Sequence, residues 1–430
     1  MGGVVVLGAG LAGLGFARQL PNCRMFEAEA SPGGHARSHE AEGISWDEGA
    51  HISHSRVESF RDLIDRAAGQ IHSIGPSIVR NLWQNQWLGY PVQNHLHTLP
   101  VDLRVRALSD LVEARLQIRE PATDYRSWCL HQYGKTLTET FYDEFTAKYW
   151  RVSGENLATD WLGGRLIPPM LPRIIKGAFM PVPEEQAVFS RFHYPARGGF
   201  FQFFAGLYDH TNLICGERAV AIDAARKNAR FASGRVESYD ALASSIPLPD
   251  LVRMIDNAPL EIRRCADELR CTQLLCVNMI VKRPRLSDCH WFYIYDRAIE
   301  AARVSLPSNL APGSLADDRT ALQAEIFRRD DEEVDIDSLV EKTIAQMGAL
   351  FGFERCDVAY VGHRLVKRAY VISDHRRSQA VATIVDWLEN RDIYPMGLYG
   401  RWKYVWSDEA YQQGCDAALR VASQLGLKTA

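Results

Sequence analysis

The apolar positions of this chain change period several times, and each change marks a new element. Val4-Val5-Val6-Leu7 is an unbroken apolar run of strand length, the pattern of a parallel strand covered on both faces. Leu11 to Leu20 follows with helical spacing, and Arg24-Met25-Phe26-Glu27 returns to a strand. Ile44 and Trp46 alternate with polar neighbours, which predicts a short strand before Gly49. From about residue 57 to 185 the spacing turns helical. Leu108, Leu111, Val112, Arg115 and Leu116 share one face, and Leu137 to Trp150 forms a second helix candidate. Pro168, Pro169, Pro172, Pro181 and Pro183 then punctuate a connecting stretch.

Strand-like runs resume at Ala219–Ile222, Arg230–Ala232 and Ala241–Ile246. Residues 274–282 and 290–295 suit a separate antiparallel sheet. Asp337 or Ser338 is placed to cap a helix through Phe351. A last helix follows Ser407-Asp408, with Tyr411, Cys415, Ala418, Leu419, Ala422 and Leu425 turned inward. The expected fold class is α/β. A Rossmann-type domain, mostly parallel sheet with helices, is assembled from residues 1–75, 186–255 and 356–430. A helical insertion spans 76–185, and an antiparallel-sheet substrate domain spans 256–355.

Composition narrows the chemistry without choosing it. The net charge of -4 gives no global attraction to nucleic acid. No stretch reaches the roughly 20 apolar residues of a membrane helix, so a soluble protein with no integral membrane part is expected. The nine cysteines are scattered, with neither a CxxC pair nor zinc spacing. Reduced thiols, no metal and a cytoplasmic location follow as expectations.

Gly8-Ala9-Gly10-Leu11-Ala12-Gly13 stands between the first strand and the first helix. Gly8 allows the tight turn, Gly10 lets the backbone approach a diphosphate, and Gly13 lets helix and strand pack closely. The helix N-terminus supplies free N–H groups and the positive end of a dipole. Glu27 ends the second strand at the spacing of an acid that holds ribose hydroxyls.

The continuation Glu27-Ala28-Glu29-Ala30-Ser31-Pro32-Gly33-Gly34 resembles the extension found in FAD families such as amine oxidases, protoporphyrinogen oxidases and UDP-galactopyranose mutases. The segment Trp46 to His54, with Gly49, Ala50 and His51, is similar to the glycine-histidine segment of the mutases that packs against the flavin. Phe145 to Trp150, Tyr194 to Phe200, and Gly397 to Asp408 extend the likeness piecewise along the chain. Two departures stand out. Leu398 occupies the place of an arginine that lies near the flavin phosphates in the mutases, with Arg401 three residues later. His35, followed by Arg37, replaces the usual asparagine after the glycine pair.

The resemblance implies FAD, held by Gly8, Gly10, Leu11, Ala12, Gly13, Glu27, Ala28, Gly33, Gly34, His35, Arg37, Gly49, Ala50, His51, Gly397 and Asp408. It implies a nucleotide-sugar substrate among Trp150, Arg165, Arg173, Arg303, Trp402 and Tyr404, with His51, Arg303 and Tyr404 closest to the chemistry. Arginine suits a diphosphate because its planar fork pairs two oxygens at once. The implied reaction interconverts pyranose and furanose forms of a nucleoside-diphosphate hexose through an adduct at N5 of the reduced flavin. It makes no net redox change, NAD(P)H or another external reductant keeps the flavin reduced, and a homodimer is the expected assembly. Two alternatives remain: an FAD oxidoreductase of the amine oxidase or protoporphyrinogen oxidase type, and a flavin-fold scaffold that has lost catalysis.

Overall fold

The computed structural model describes residues 3–117, 119–163, 165–166, 169–183 and 191–429. Val4–Leu7 is the centre of a five-stranded sheet in the order Ile393–Pro395, Ala241–Ser244, Val4–Leu7, Arg24–Phe26, Leu213–Ile214, and every pairing is parallel. Its four residues are buried because helices cover both faces. The helix Leu11–Gln19 lies against the last helix, Ser407–Leu425. Their backbones nearly touch: a Cβ on Gly414 would stand 1.9 Å from the Ala12 carbonyl oxygen, and one on Gly15 would stand 2.1 Å from that of Tyr411. This seam selects small residues. The buried face of the last helix is therefore Gly414, Ala417, Ala418, Val421 and Ala422, whereas Leu419, expected inside, is 45% exposed.

A second sheet has seven strands in the order Val358–Val366, Thr272–Val281, Thr320–Arg329, Arg303–Ser305, Trp291–Ile294, Val79–Trp83, Gln86–Gly89. All pairings are antiparallel except Trp291–Ile294 with Val79–Trp83. Thr272–Val281 is buried along its whole length. Leu275, Val277 and Met279 face the helix Ile336–Phe351, while Leu274 and Cys276 face the helical part of the chain. Asp335, two residues before the expected cap, receives the Ser338 N–H at 3.2 Å.

The segment expected to be helical carries strands as well. Val79–Trp83 and Gln86–Gly89 form a hairpin on the edge of the seven-stranded sheet, turning at Gln84 and Asn85, both at positive φ. The pair Gln84-Asn85 is not a common marker of such a turn, so the hairpin was hidden in the sequence. Val358–Val366 likewise joins this sheet and not the parallel one. Helices Val101–Leu116, Tyr125–Leu137, Asp143–Tyr149 and Leu171–Phe179 complete the insertion, with a π-helical turn at Thr138–Tyr142 dividing the expected Leu137–Trp150 helix. In Val101–Leu116 the buried residues are Ala107, Leu111 and Ala114, and Val112 and Leu116 face outward. Among the described residues, no helix is long and apolar enough to cross a membrane.

Candidate functional site

A cavity of about 1120 Å³ begins at the C-terminal edge of the parallel sheet and runs between the second sheet and the helical segment. Its first end is built by the glycine turn. Gly8, at φ 92°, donates its N–H to the Phe26 carbonyl at 2.8 Å, so the chain leaves its strand in a sharp turn. Gly10 heads the helix, and a Cβ there would meet only the Gly34 Cα, at 3.9 Å. The backbones of Gly10 and Gly34 thus face each other at the cavity wall, with Leu11, Ala12, Ala28 and Gly33 beside them. The buried Glu27 carboxylate accepts the N–H groups of Ala9 at 2.8 Å and Glu29 at 3.0 Å. Each of its oxygens retains a second lone pair for a hydroxyl. Arg37 lines the same end and donates through Nε to the Gly34 carbonyl at 3.1 Å. A glycine-walled slot at a helix N-terminus, with a buried acid beside it, fits a diphosphate-linked dinucleotide.

The middle is held by three buried carboxylates that the sequence did not single out. Asp47 accepts the hydroxyls of Ser38 at 2.6 Å and Tyr194 at 2.7 Å and the Phe200 N–H at 3.0 Å, and burial raises its pKa. Glu48 faces His35 at 2.6 Å and Arg364 at 2.7 Å; against the penalty of burial, these partners and His39 hold its carboxyl low. Glu325 forms a bidentate pair with Arg303, both contacts 2.7 Å, and accepts the Ala50 N–H at 3.0 Å. The two residues are directly opposite in register on neighbouring strands. One carboxylate therefore ties the second sheet to the loop 49–51. His51 stacks on Phe200 with centroids 5.1 Å apart, and its Nδ1 lies 3.0 Å from the Gly49 carbonyl. A carbonyl only accepts, so Nδ1 carries the hydrogen, and burial keeps the ring neutral by lowering its pKa.

The far end is aromatic. Trp150 packs among Trp161, Tyr370 and Tyr404, with ring centroids at 5.2, 5.6 and 6.1 Å. Arg165 lies over Trp406 at 4.4 Å and Tyr404 at 5.2 Å, donates to the Tyr404 carbonyl at 3.1 Å and pairs with Glu409. Arg303 stands 6.0 Å from the Tyr149 ring and opens to the same space. Two arginines and a ring-lined wall can hold an anionic group beside a sugar or a base.

The NAD(P)-binding Rossmann-like domain family matches residues 6–67. A crystal structure of reduced UDP-galactopyranose mutase is 25% identical, with a TM-score of 0.91 over 99% of this chain and 96% of that one. The chain has the fold of UDP-galactopyranose mutase. A putative protoporphyrinogen oxidase from Exiguobacterium shares the fold more distantly, at 16% identity and a TM-score of 0.74 over 98% of each chain. A redesigned putrescine oxidase does so at 12% identity and a TM-score of 0.65, over 98% of this chain and 99% of that one.

Within this mutase-like fold, most of the expected residues line one cavity: Gly8, Gly10, Leu11, Ala12, Glu27, Ala28, Gly33, Gly34, His35, Arg37, Ala50, His51, Trp150, Arg165, Arg303, Gly397 and Tyr404. Five do not. A Cβ on Gly13 would stand 2.1 Å from the Gly8 carbonyl oxygen, so its place is the helix–strand contact. Gly49 lies under the loop, where a Cβ would face Glu325 at 3.3 Å. Arg173 sits on Leu171–Phe179, which packs against the turns at 92–98, away from the cavity. Trp402 takes a positive φ of 47°, which turns its ring into the core, where it is fully buried. Asp408, in the first turn of the last helix, accepts the Ser55 hydroxyl and the Glu409 N–H. Leu398 does line the wall, and Arg401 is turned away to Glu389 at 2.9 Å. Tyr149, Tyr293 and Tyr370 also line the cavity, and Glu325 holds Arg303 there, but none was singled out: Tyr149 stands inside the Phe145 to Trp150 segment beside the residue that was, and no motif surrounds the other three.

Proposed function

We propose that this chain is an FAD-dependent nucleotide-sugar mutase interconverting pyranose and furanose forms of a nucleoside-diphosphate hexose, with an external reductant such as NAD(P)H keeping the flavin reduced. The observation that supports this most is the continuity of the cavity, which joins the dinucleotide turn to Arg303, Arg165, Trp150 and Tyr404 without a dividing wall. The reduced flavin supplies a nucleophilic nitrogen for the anomeric carbon, without net redox change. The protein supplies the rest. Leu11 and Ala12 present helix-terminal N–H groups to the cofactor diphosphate, and Glu27 holds ribose hydroxyls. Arg303, aligned by Glu325, and Arg165 bind the substrate diphosphate and stabilise its charge as it leaves. Trp150 and Tyr404 cover the sugar and exclude water. Burial pushes the Tyr404 phenol up, so it remains a hydrogen-bond donor at neutral pH. Neutral His51 keeps Nε2 as an acceptor for a hydroxyl.

The test incubates dithionite-reduced holoprotein with a panel of nucleoside-diphosphate hexoses under nitrogen, and separates ring forms chromatographically. Interconversion over many turnovers on a single reduction supports the mutase. Absence of ring interconversion there, together with hydrogen peroxide formed in step with oxidation of an amine or a porphyrinogen in a parallel incubation in air without dithionite, replaces it by the oxidase.

A further inference from the structure

Lys148 is a buried cation that the proposed chemistry leaves unused. It stands next to last in the helix Asp143–Tyr149 and is 7% exposed. Its Nζ donates to three backbone carbonyls of one loop: Asp296 at 2.9 Å, Ile299 at 2.8 Å and Ala301 at 2.7 Å. Burial draws its pKa down, to about 7. A neutral amine has only two hydrogens for these three acceptors, so the geometry is that of an ammonium. Among the described residues no carboxylate bonds to it: Asp296 accepts the Gln84 N–H, Glu144 pairs with Arg297, and Glu300 pairs with Arg328 and Lys342. A buried charge without a counter-ion is costly and depends on well-placed hydrogen bonds. The loop it grips joins Trp291–Ile294 to Arg303–Ser305, the hairpin that carries Tyr293 and Arg303 to the cavity. Gln346, on the helix Ile336–Phe351, holds this loop as well: it accepts the Glu300 N–H at 2.9 Å and donates to the Ala298 carbonyl at 2.7 Å. The loop is thus already anchored, and what Lys148 adds is the attachment of its own helix. That helix brings Phe145 and Tyr149, followed by Trp150, to the cavity wall, whereas Lys148 itself does not line it. Phe145 meets Tyr293 with ring centroids 5.7 Å apart, and Arg303 stands 6.0 Å from the Tyr149 ring.

We propose that Lys148 is a positioning residue for the substrate: by clamping the helix Asp143–Tyr149 to the loop 296–301, it sets how far Tyr149 and Trp150 stand from Tyr293 and Arg303, and so the fit of a nucleotide sugar between them. This rests on the nucleotide-sugar reading of that end of the cavity. Apart from the exposed Arg297–Glu144 pair, helix and hairpin meet through aromatic rings, and apolar packing has little directionality. Three charge-assisted hydrogen bonds from one ammonium fix both distance and register.

The experiment titrates the FAD-loaded full chain with UDP-, dTDP-, GDP- and ADP-hexoses by calorimetry, and the tightest binder of the native chain becomes the probe. Lys148→Met is expected to bind that probe about tenfold more weakly, the worth of one lost charge-assisted hydrogen bond, at a temperature well below its melt. Its flavin-to-protein absorbance ratio should stay native, because the dinucleotide turn lies at the other end of the cavity. Lys148→Gln, which keeps two donors without the charge, should lose less affinity, and it decides by the same criteria if Lys148→Met does not fold. A lowered melt with native affinity for the probe makes Lys148 a stabilising residue only and overturns the proposal. Loss of flavin in step with loss of affinity overturns it too, since the damage is then not confined to the substrate end. Failure of the native chain to bind any of the four overturns the nucleotide-sugar reading instead.

Discussion

Replacing Gly10 by valine separates the fold from the cofactor. Gly10 has φ -79° and ψ -172°, which a β-branched residue adopts without strain. Its Cβ would meet nothing closer than 3.9 Å, so the new side chain points into the cavity and not into the core. The expected loss of stability is about 1 kcal/mol, from a poorer residue at the head of the helix. The cofactor suffers more, because the valine methyls occupy the space through which a diphosphate reaches the helix N–H groups. Loss of two charge-assisted hydrogen bonds, at about 1.5–3 kcal/mol each, weakens FAD on the order of a hundredfold to ten-thousandfold. Gly13→Ala is the contrasting variant. Its Cβ overlaps the Gly8 carbonyl oxygen at 2.1 Å, so the strand and helix must part, costing about 3 kcal/mol or more. Flavin-to-protein absorbance ratios measure occupancy, and circular-dichroism melts measure the fold. Gly10→Val with full flavin occupancy would refute the assigned turn; Gly13→Ala with an unchanged melt would refute the packing argument.

Other expectations concern the buried ion pair and three half-buried histidines. Glu325→Gln leaves Arg303 buried without its counter-charge and should destabilise by about 3–5 kcal/mol in urea unfolding, whereas Arg303→Met with Glu325→Leu should recover most of it. Equal stability of the single and double variants would contradict the pairing. Burial lowers the pKa of His51, His54 and His95, the last to about 4. These rings are neutral in the native state but take up protons near pH 6.5 once unfolded. Their contribution to stability should thus be complete above that pH and fall as pH drops toward 4, by at most about 1.4 kcal/mol per pH unit for each ring. His95→Asn should flatten the slope, and an unaltered slope would assign it to other groups.

The local sequence was sufficient where one short segment contains its own physical reason. Val4–Leu7, the glycine turn and Glu27 are legible because strand, turn and acid follow one another, and the glycine spacing is dictated by a phosphate approaching a backbone. The apolar run read at 274–282, a strand at Thr272–Val281, and the helices Leu11–Gln19 and Ser407–Leu425 were legible for the same reason. Tertiary structure decided what depends on partners distant along the chain. Glu325 gains its role only because register sets it opposite Arg303 and beneath Ala50, 275 residues away. Trp402 and Tyr404, two residues apart in one motif, part company because a single positive φ sends the first ring into the core. Leu419 was misplaced because the first helix approaches through glycine and alanine, and a seam between backbones has no room for the largest apolar side chains. A motif specifies backbone geometry, while the direction in which each side chain is buried is set by whatever packs against it.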